Sequence, residues 1–427
     1  MKKIGANKIV YLLLSLLILV FILVEARGEG DFLIFQSAAS DLLKSENIYR
    51  KEYSTWYHYY YDVVFALLLY PLSFLPLYYV KVLWLMLNVF FAYRIWQIIL
   101  SWLPLSLITE KGKKQFVSLS VVFVFAFLWD NFHLSQVTIF LLYLTFEGLH
   151  LINTQRTLRG SILIAFGITM KVLPIFIIPY LIYRREWKST FFVILFSGLL
   201  LLIPGFIIGF EFNSFLLQER WKLLNPTNVV HILDTNERSF HSLTTYFATL
   251  LVKDCQDVYA LPLRRNIADI SLVSLNLVIT MSRLALILFA IYFLGSKPFK
   301  SVTSHLQRLY ELSYICLITP LIFPHQQLYA FFYILPASAY LLFFLVATRA
   351  HHIMKMGLTV SMIIIYFLTN AHVILGQFNH YYNHFKILTY GVFVLIVVLA
   401  LYKPKKLFDL VIRKKENMST ATESAET

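Results

Sequence analysis

The chemistry-bearing residues of this chain stand where hydrophobic segments end. The stretch GDFLIFQSAASDLL begins its side chains with Asp31, just beyond the first apolar segment. Phe32, Phe35, Ala38, Ala39 and Leu42 then recur at helical spacing, so Asp31 opens an amphipathic helix. One reading makes it a helix N-cap, a position aspartate favours. The other makes it a carboxylate at the membrane surface, able to act as general base if it reaches the proton it removes.

DNFHLSQ adds Asp130, His133 and Gln136 at a helix junction, three hydrogen-bonding groups within seven residues. On chemistry alone Asp130 rivals Asp31 as the base. Lys171 lies inside apolar sequence, in TMKVLPIF. A charge at membrane depth is costly and faces a polar cavity unless the long side chain snorkels to the interface; in a cavity it would hold a phosphate. Between 211 and 240, Arg220, His231, Asp234, Glu237, Arg238 and His241 gather, and arginine suits phosphate through its planar fork. FPHQQLY supplies His325, Gln326 and Gln327. The aromatic run around Tyr49, Trp56 and Tyr60 serves either as an interfacial belt or as stacking faces and hydroxyls for a sugar or isoprenoid. His380 and His384 are one helical turn apart but lack the companion glutamate of a zinc motif, so no metal site is expected. Cys255 and Cys316 build neither a metal site nor a disulfide framework.

The elements that must position these groups are membrane helices. Of 427 residues, 59% are hydrophobic and mean hydropathy is +0.69, far above a soluble domain. Continuous apolar runs, rather than alternation, point to helices and not to a β-barrel. The net charge of +14 sits in short loops beside apolar segments, which indicates topology and no nucleic-acid partner. Threading with basic loops inside gives an all-α polytopic membrane protein of about eleven passes with re-entrant or interfacial helices. The N-terminus is cytoplasmic and the first segment is retained. The only division expected is between an integral domain over 1–415 and a polar, disordered cytoplasmic tail over 416–427. Within that domain, 25–62 is the first external loop and 211–240 the second large one. Val63–Leu75 is too short to span, and a break is expected near Lys171 and Pro174.

The order of these features resembles the GT-C membrane glycosyltransferases, most closely glycosyltransferase family 87, whose members use polyprenyl-phosphate mannose. The resemblance is carried by Asp31 soon after helix one, an Ala-rich helix, "IY", an aromatic stretch and YPLSFLP. The Ser135–Gln136 pair matches a family Gly-Gln, KVLP matches Lys-x-x-Pro, and PLIFPH matches a late proline–histidine pattern ending at His325. Here the family's Ser-Trp before that histidine is Phe-Pro, and its Asn-Gln-Ser segment appears only as ERSFHSL.

The resemblance implies a GT-C-like bundle with Asp31 as catalytic base. It implies inverting transfer of a hexose, mannose in the family, from a polyprenyl-phosphate donor to a lipid or glycan acceptor. That reaction would take place on the extracytoplasmic face of a bacterial-type inner membrane. Donor phosphate and sugar candidates are Lys171, Arg238, His325, Gln136, His133 and Asp130. Acceptor or lipid contacts are Tyr49, Trp56, Tyr60 and Gln326. No cofactor is implied; the lipid-linked sugar phosphate is a substrate, and the remaining partners are membrane lipids. Two other classes share parts of this pattern. A polyprenol-linked glycan transporter or flippase favours repeated halves with glycine-broken helices, whereas this chain has 14 glycines and no internal repeat. A glycan polymerase or ligase has no need of an acid opening the first loop.

Overall fold

A computed structural model describes residues 6–28, 30–53, 58–225, 241–253, 255, 261–295, 298–301, 304–348 and 352–406. Among these residues there is no strand. In chain order the helices are α1 (Ala6–Glu25), α2 (Phe32–Leu42), α3 (Val63–Leu69), α4 (Leu77–Trp102), α5 (Glu110–His133) and α6 (Thr138–Asn153). They continue with α7 (Thr157–Met170), α8 (Ile177–Tyr183), α9 (Trp187–Leu202), α10 (Gly205–Ile208), α11 (Phe210–Leu224) and α12 (Leu243–Leu251). The last six are α13 (Leu272–Leu294), α14 (His305–Ile322), α15 (Leu335–Ala347), α16 (His352–Asn370), α17 (Asn379–His384) and α18 (Ile387–Leu401).

Six helical segments among the described residues are long and apolar enough to cross a membrane: Leu77–Trp102, Glu110–His133, Trp187–Ile208, Leu272–Leu294, Leu328–Ala347 and Ile353–Val373. A seventh would join Gly376–His384 to Ile387–Leu401 across a 70° bend. They do not by themselves confirm the eleven passes expected, and several other apolar segments fold as shorter helices. Val63–Phe74, Thr138–Asn153, Thr157–Met170 and Leu173–Tyr183 are of this kind. The 16 residues of α6 rise roughly 24 Å at 1.5 Å each, less than the ~30 Å hydrocarbon core. The expected external loop over 211–240 is helical as far as Leu224, as α11, and residues 226–240 lie outside the described residues.

The chain divides into two compact units. The first comprises Met1–Ile95, Trp129–Val172 and Phe192–Leu224. Its core is aromatic. Phe35 meets Tyr61 edge-on at 4.8 Å, and Phe65 lies within 6 Å of both; Trp84 packs on Phe32. The helical face expected of α2 is the face it buries: Phe32, Phe35, Ala38, Ala39 and Leu42 are all 1% exposed or less. Gln36 fastens α2 to the turn after α3, its amide donating to Leu72 O and Leu75 O at 3.0 and 2.8 Å. The α6–α7 hairpin closes on two glycines. A Cβ on Gly148 would lie 2.5 Å from Ile164, and one on Gly160 would meet Gly148 O. Small residues allow such backbone approach where lipid supplies no hydrophobic drive between helices.

The second unit comprises Trp96–Leu128, Leu173–Phe191 and Asn225–Thr427. The Leu328–Ala347 segment is 94% buried. Arg184, in the turn between α8 and α9, is buried. Its guanidinium donates to Glu311 and to Leu294 O, and Tyr180 donates to the same carboxylate. Both members of that ion pair are buried.

Candidate active site

All residues of the candidate site described below belong to the first unit. Asp31 begins α2 in helical geometry but makes no side-chain cap bond. Its carboxylate instead accepts a hydrogen bond from Gln136 Nε2, and its backbone N–H donates to Leu134 O at 3.0 Å. The Leu134–Gln136 turn is fixed from several sides. Gln136 N donates to Asn131 O at 2.9 Å, and Trp84 Nε1 donates to Ser135 O at 3.0 Å. Gly30 lets the two segments touch, since a Cβ there would lie 3.1 Å from Leu134 O. Ser135 takes φ 53°, the left-handed region that costs glycine least and the position where the resembling motif has glycine. Gln136 is fully buried, and its carbonyl oxygen has no partner among the described residues.

Tyr61 lies beside Lys171 and feels the Asp31 charge. Burial pushes the Tyr61 hydroxyl well above its usual range, and the Asp31 charge adds to that rise. The Lys171 ammonium lies 5.4 Å from the centre of the Tyr61 ring, within cation–π range. Lys171 follows the last residue of α7 and is extended, with φ −149° and ψ 126°. The break expected at Lys171 and Pro174 is therefore present, and Leu173–Phe176 continues as a 3-10 turn.

Beneath this trio lies a buried ion pair that the sequence reading did not connect. Asp62 caps α3, accepting from Val64 N at 2.9 Å, and receives Arg220 Nη1 from α11. Arg220 Nη2 donates to Thr169 O at 2.7 Å, and Asp62 N donates to Met170 O at 3.3 Å. Burial pushes the Asp62 carboxyl up, while Arg220 and the Val64 N–H pull against that rise.

The remaining candidates fall elsewhere. His133 is exposed and bonds Glu25 at the end of α1, at 3.0 Å. Asp130 is half-buried in the last turn of α5; it is Asp31 that the Gln136 amide meets. Tyr49 is buried and donates to Tyr61 O at 2.9 Å, bracing the aromatic loop. Tyr60 is half-exposed, its ring 6.4 Å from that of His58. His325 and Gln326 belong to the second unit. His325 has φ 56°, and the buried Gln326 amide donates to Pro324 O at 2.8 Å. Gln326 is thereby committed to its own turn. In that unit His384 Nδ1 accepts from Leu261 N at 2.9 Å. Trp56, His231, Asp234, Glu237 and Arg238 lie outside the described residues. No group of His, Cys, Asp and Glu suited to a metal occurs among the described residues.

An all-helical chain with membrane-length helices thus carries a carboxylate held by a buried amide, Asp31 with Gln136, and an ammonium beside a tyrosine ring, Lys171 with Tyr61. Residues 59–304, more than half of the chain, match the family described as glycosyltransferase family 87, and the chain belongs to that family. It is a glycosyltransferase. The matched segment contains Asp62, Gln136, Lys171 and Arg220; Asp31 and His325 fall outside it. Comparisons with curated proteins and with solved structures returned no match.

Proposed function

We propose that this glycosyltransferase moves a hexose, mannose by family resemblance, from a polyprenyl-phosphate donor to a lipid or glycan acceptor. The reaction takes place on the extracytoplasmic face of the cytoplasmic membrane. The observation that carries this reading is the Asp31 carboxylate, which opens a helix without capping it and is held by the buried Gln136 amide. A carboxylate held by a buried amide and making no cap bond is suited to take a proton. In the proposed step Asp31 removes the proton of an acceptor hydroxyl. The oxygen forms a bond to the anomeric carbon, and the bond to the lipid phosphate breaks with its electron pair leaving on phosphate. Attack opposite the leaving group inverts the anomeric centre. Lys171 is the cation placed to meet the developing phosphate charge, where preorganised charge lowers the barrier; Arg238 and His325 are further candidates. The scheme calls for no cofactor.

The test is transfer of radiolabelled sugar from polyprenyl-phosphate mannose to a host lipid and glycan extract by purified protein. Asp31→Asn should reduce transfer by about 10²–10⁴-fold, the usual worth of a positioned base, with the product anomer opposite to the donor. Equal transfer by the variant would remove Asp31 from the chemistry and leave Asp130 to be tested. Absence of transfer from mannose, glucose and arabinose donors alike would overturn the donor assignment.

A further inference from the structure

Residue 171 owes its position to an interaction far from it in sequence. In a continuing helix the carbonyl of Met170 would accept from the backbone nitrogen of residue 174. That residue is proline, which has no N–H and clashes with the carbonyl four residues before it. The last carbonyls of α7 are therefore orphaned at a buried end, where unmade hydrogen bonds are costly. Asp62 and Arg220 supply donors to two of them. Asp62 N reaches Met170 O at 3.3 Å, and Arg220 Nη2 reaches Thr169 O at 2.7 Å. The other arm of the Arg220 fork and the Asp62 carboxylate lock the two donors to each other. The residue before Asp62 is Tyr61, whose ring lies under the Lys171 ammonium at 5.4 Å.

We infer that Asp62 and Arg220 are positioning residues of the transfer reaction. They hold the unwound end of α7 against the Tyr61–Asp62 segment, and so fix Lys171 over Tyr61 and in register with Asp31. This inference rests on the proposed function for what Lys171 does, but not for where Lys171 is held. The pair touches neither donor nor acceptor in this scheme, and acts through the backbone of Thr169 and Met170.

The experiment uses full-length protein in detergent with two independent readouts. The main variant is Asp62→Asn combined with Arg220→Gln, which removes both charges together and keeps an oxygen to cap α3. The first readout is the acylation rate of Lys171 by an amine-reactive reagent, followed by mass spectrometry. It should rise several-fold in the double variant, because the ammonium leaves its ring. The second is kcat/KM for polyprenyl-phosphate mannose, which should fall about 10²-fold, the scale of an ångström-sized misplacement. In a Lys171→Ala background the same double change should cost no more than about twofold, since coupled sites are not additive. Arg220→Lys, which keeps the charge but lacks the planar fork, should recover part of the loss. An unchanged Lys171 acylation rate would overturn the inference, as would an equal loss of kcat/KM in both backgrounds. If the wild type transfers no sugar from any donor, the functional reading fails alone, and the acylation rate still decides the positioning.

Discussion

Asp31 and Asp62 are both helix-opening aspartates, yet they are used differently. Asp62 caps α3 and neutralises Arg220 in a buried pair. Asp31 makes no cap bond and meets one amide. The difference predicts opposite outcomes for the same substitution. Asp31→Asn keeps an oxygen that can accept from the Gln136 amide, so unfolding free energy should fall by about 1 kcal/mol or less. Asp62→Asn leaves the buried Arg220 guanidinium without its counter-charge, which costs about 3–5 kcal/mol in comparable pairs. Thermal unfolding in detergent separates the two; a destabilised Asp31→Asn protein would return Asp31 to a structural role. Asp31, Gln136 and Lys171 were legible in sequence because each interrupts or ends an apolar run, where a polar residue needs a reason. The Asp62–Arg220 pair was not, because its members are 158 positions apart and each passes for an ordinary charge of an external loop.

The elements tell a similar story. The apolar face of α2, the short helix after Asp62 and the break at Lys171 follow from periodicity, length and a proline, all local properties. The helical start of the 211–240 segment was missed because its apolar and charged residues alternate without a strong stripe. That helix carries the docking site of the 43–53 segment. Glu219 of α11 is buried and accepts from Lys222, Arg50 and Asn47, the last at 3.1 Å. Those donors hold its carboxyl at about 2, below an ordinary 4.5. A carboxyl lowered in the folded state stabilises fully above the unfolded value and loses that contribution as pH falls through the folded one. The stability difference between wild type and Glu219→Gln should therefore be constant above about 4.5 and shrink toward zero near 2. Unfolding temperatures measured across that range check it. A difference that persists undiminished at the acid end would mean that Glu219 acts by shape rather than charge.

For the whole molecule, hydropathy gave a membrane protein and basic loops gave an expected orientation, but neither gave the number of passes. Hydropathy counts apolar residues without asking how long the helix is that holds them. Thus α6 and α7 are apolar and too short to span singly. Charge counting has a similar weakness, since Arg184 lies in the turn after α8 yet is buried in an ion pair with Glu311 inside the second unit. The basic stretch EKGKKQ lies at the start of α5, and its Lys113 side chain is 38% exposed. The acid-rich 25–62 segment stands against it. Threading with basic loops inside predicts EKGKKQ on the cytoplasmic side and the 25–62 segment outside. A Cys255→Ser protein keeps only Cys316, which is buried, so single cysteines added to it report cleanly. Lys44→Cys, at a side chain 60% exposed, should react with a membrane-impermeant maleimide in intact cells. Lys113→Cys should react only after the membrane is opened. The reverse pattern would place Asp31 on the cytoplasmic side, where nucleotide sugars are available and the need for a lipid-linked donor disappears.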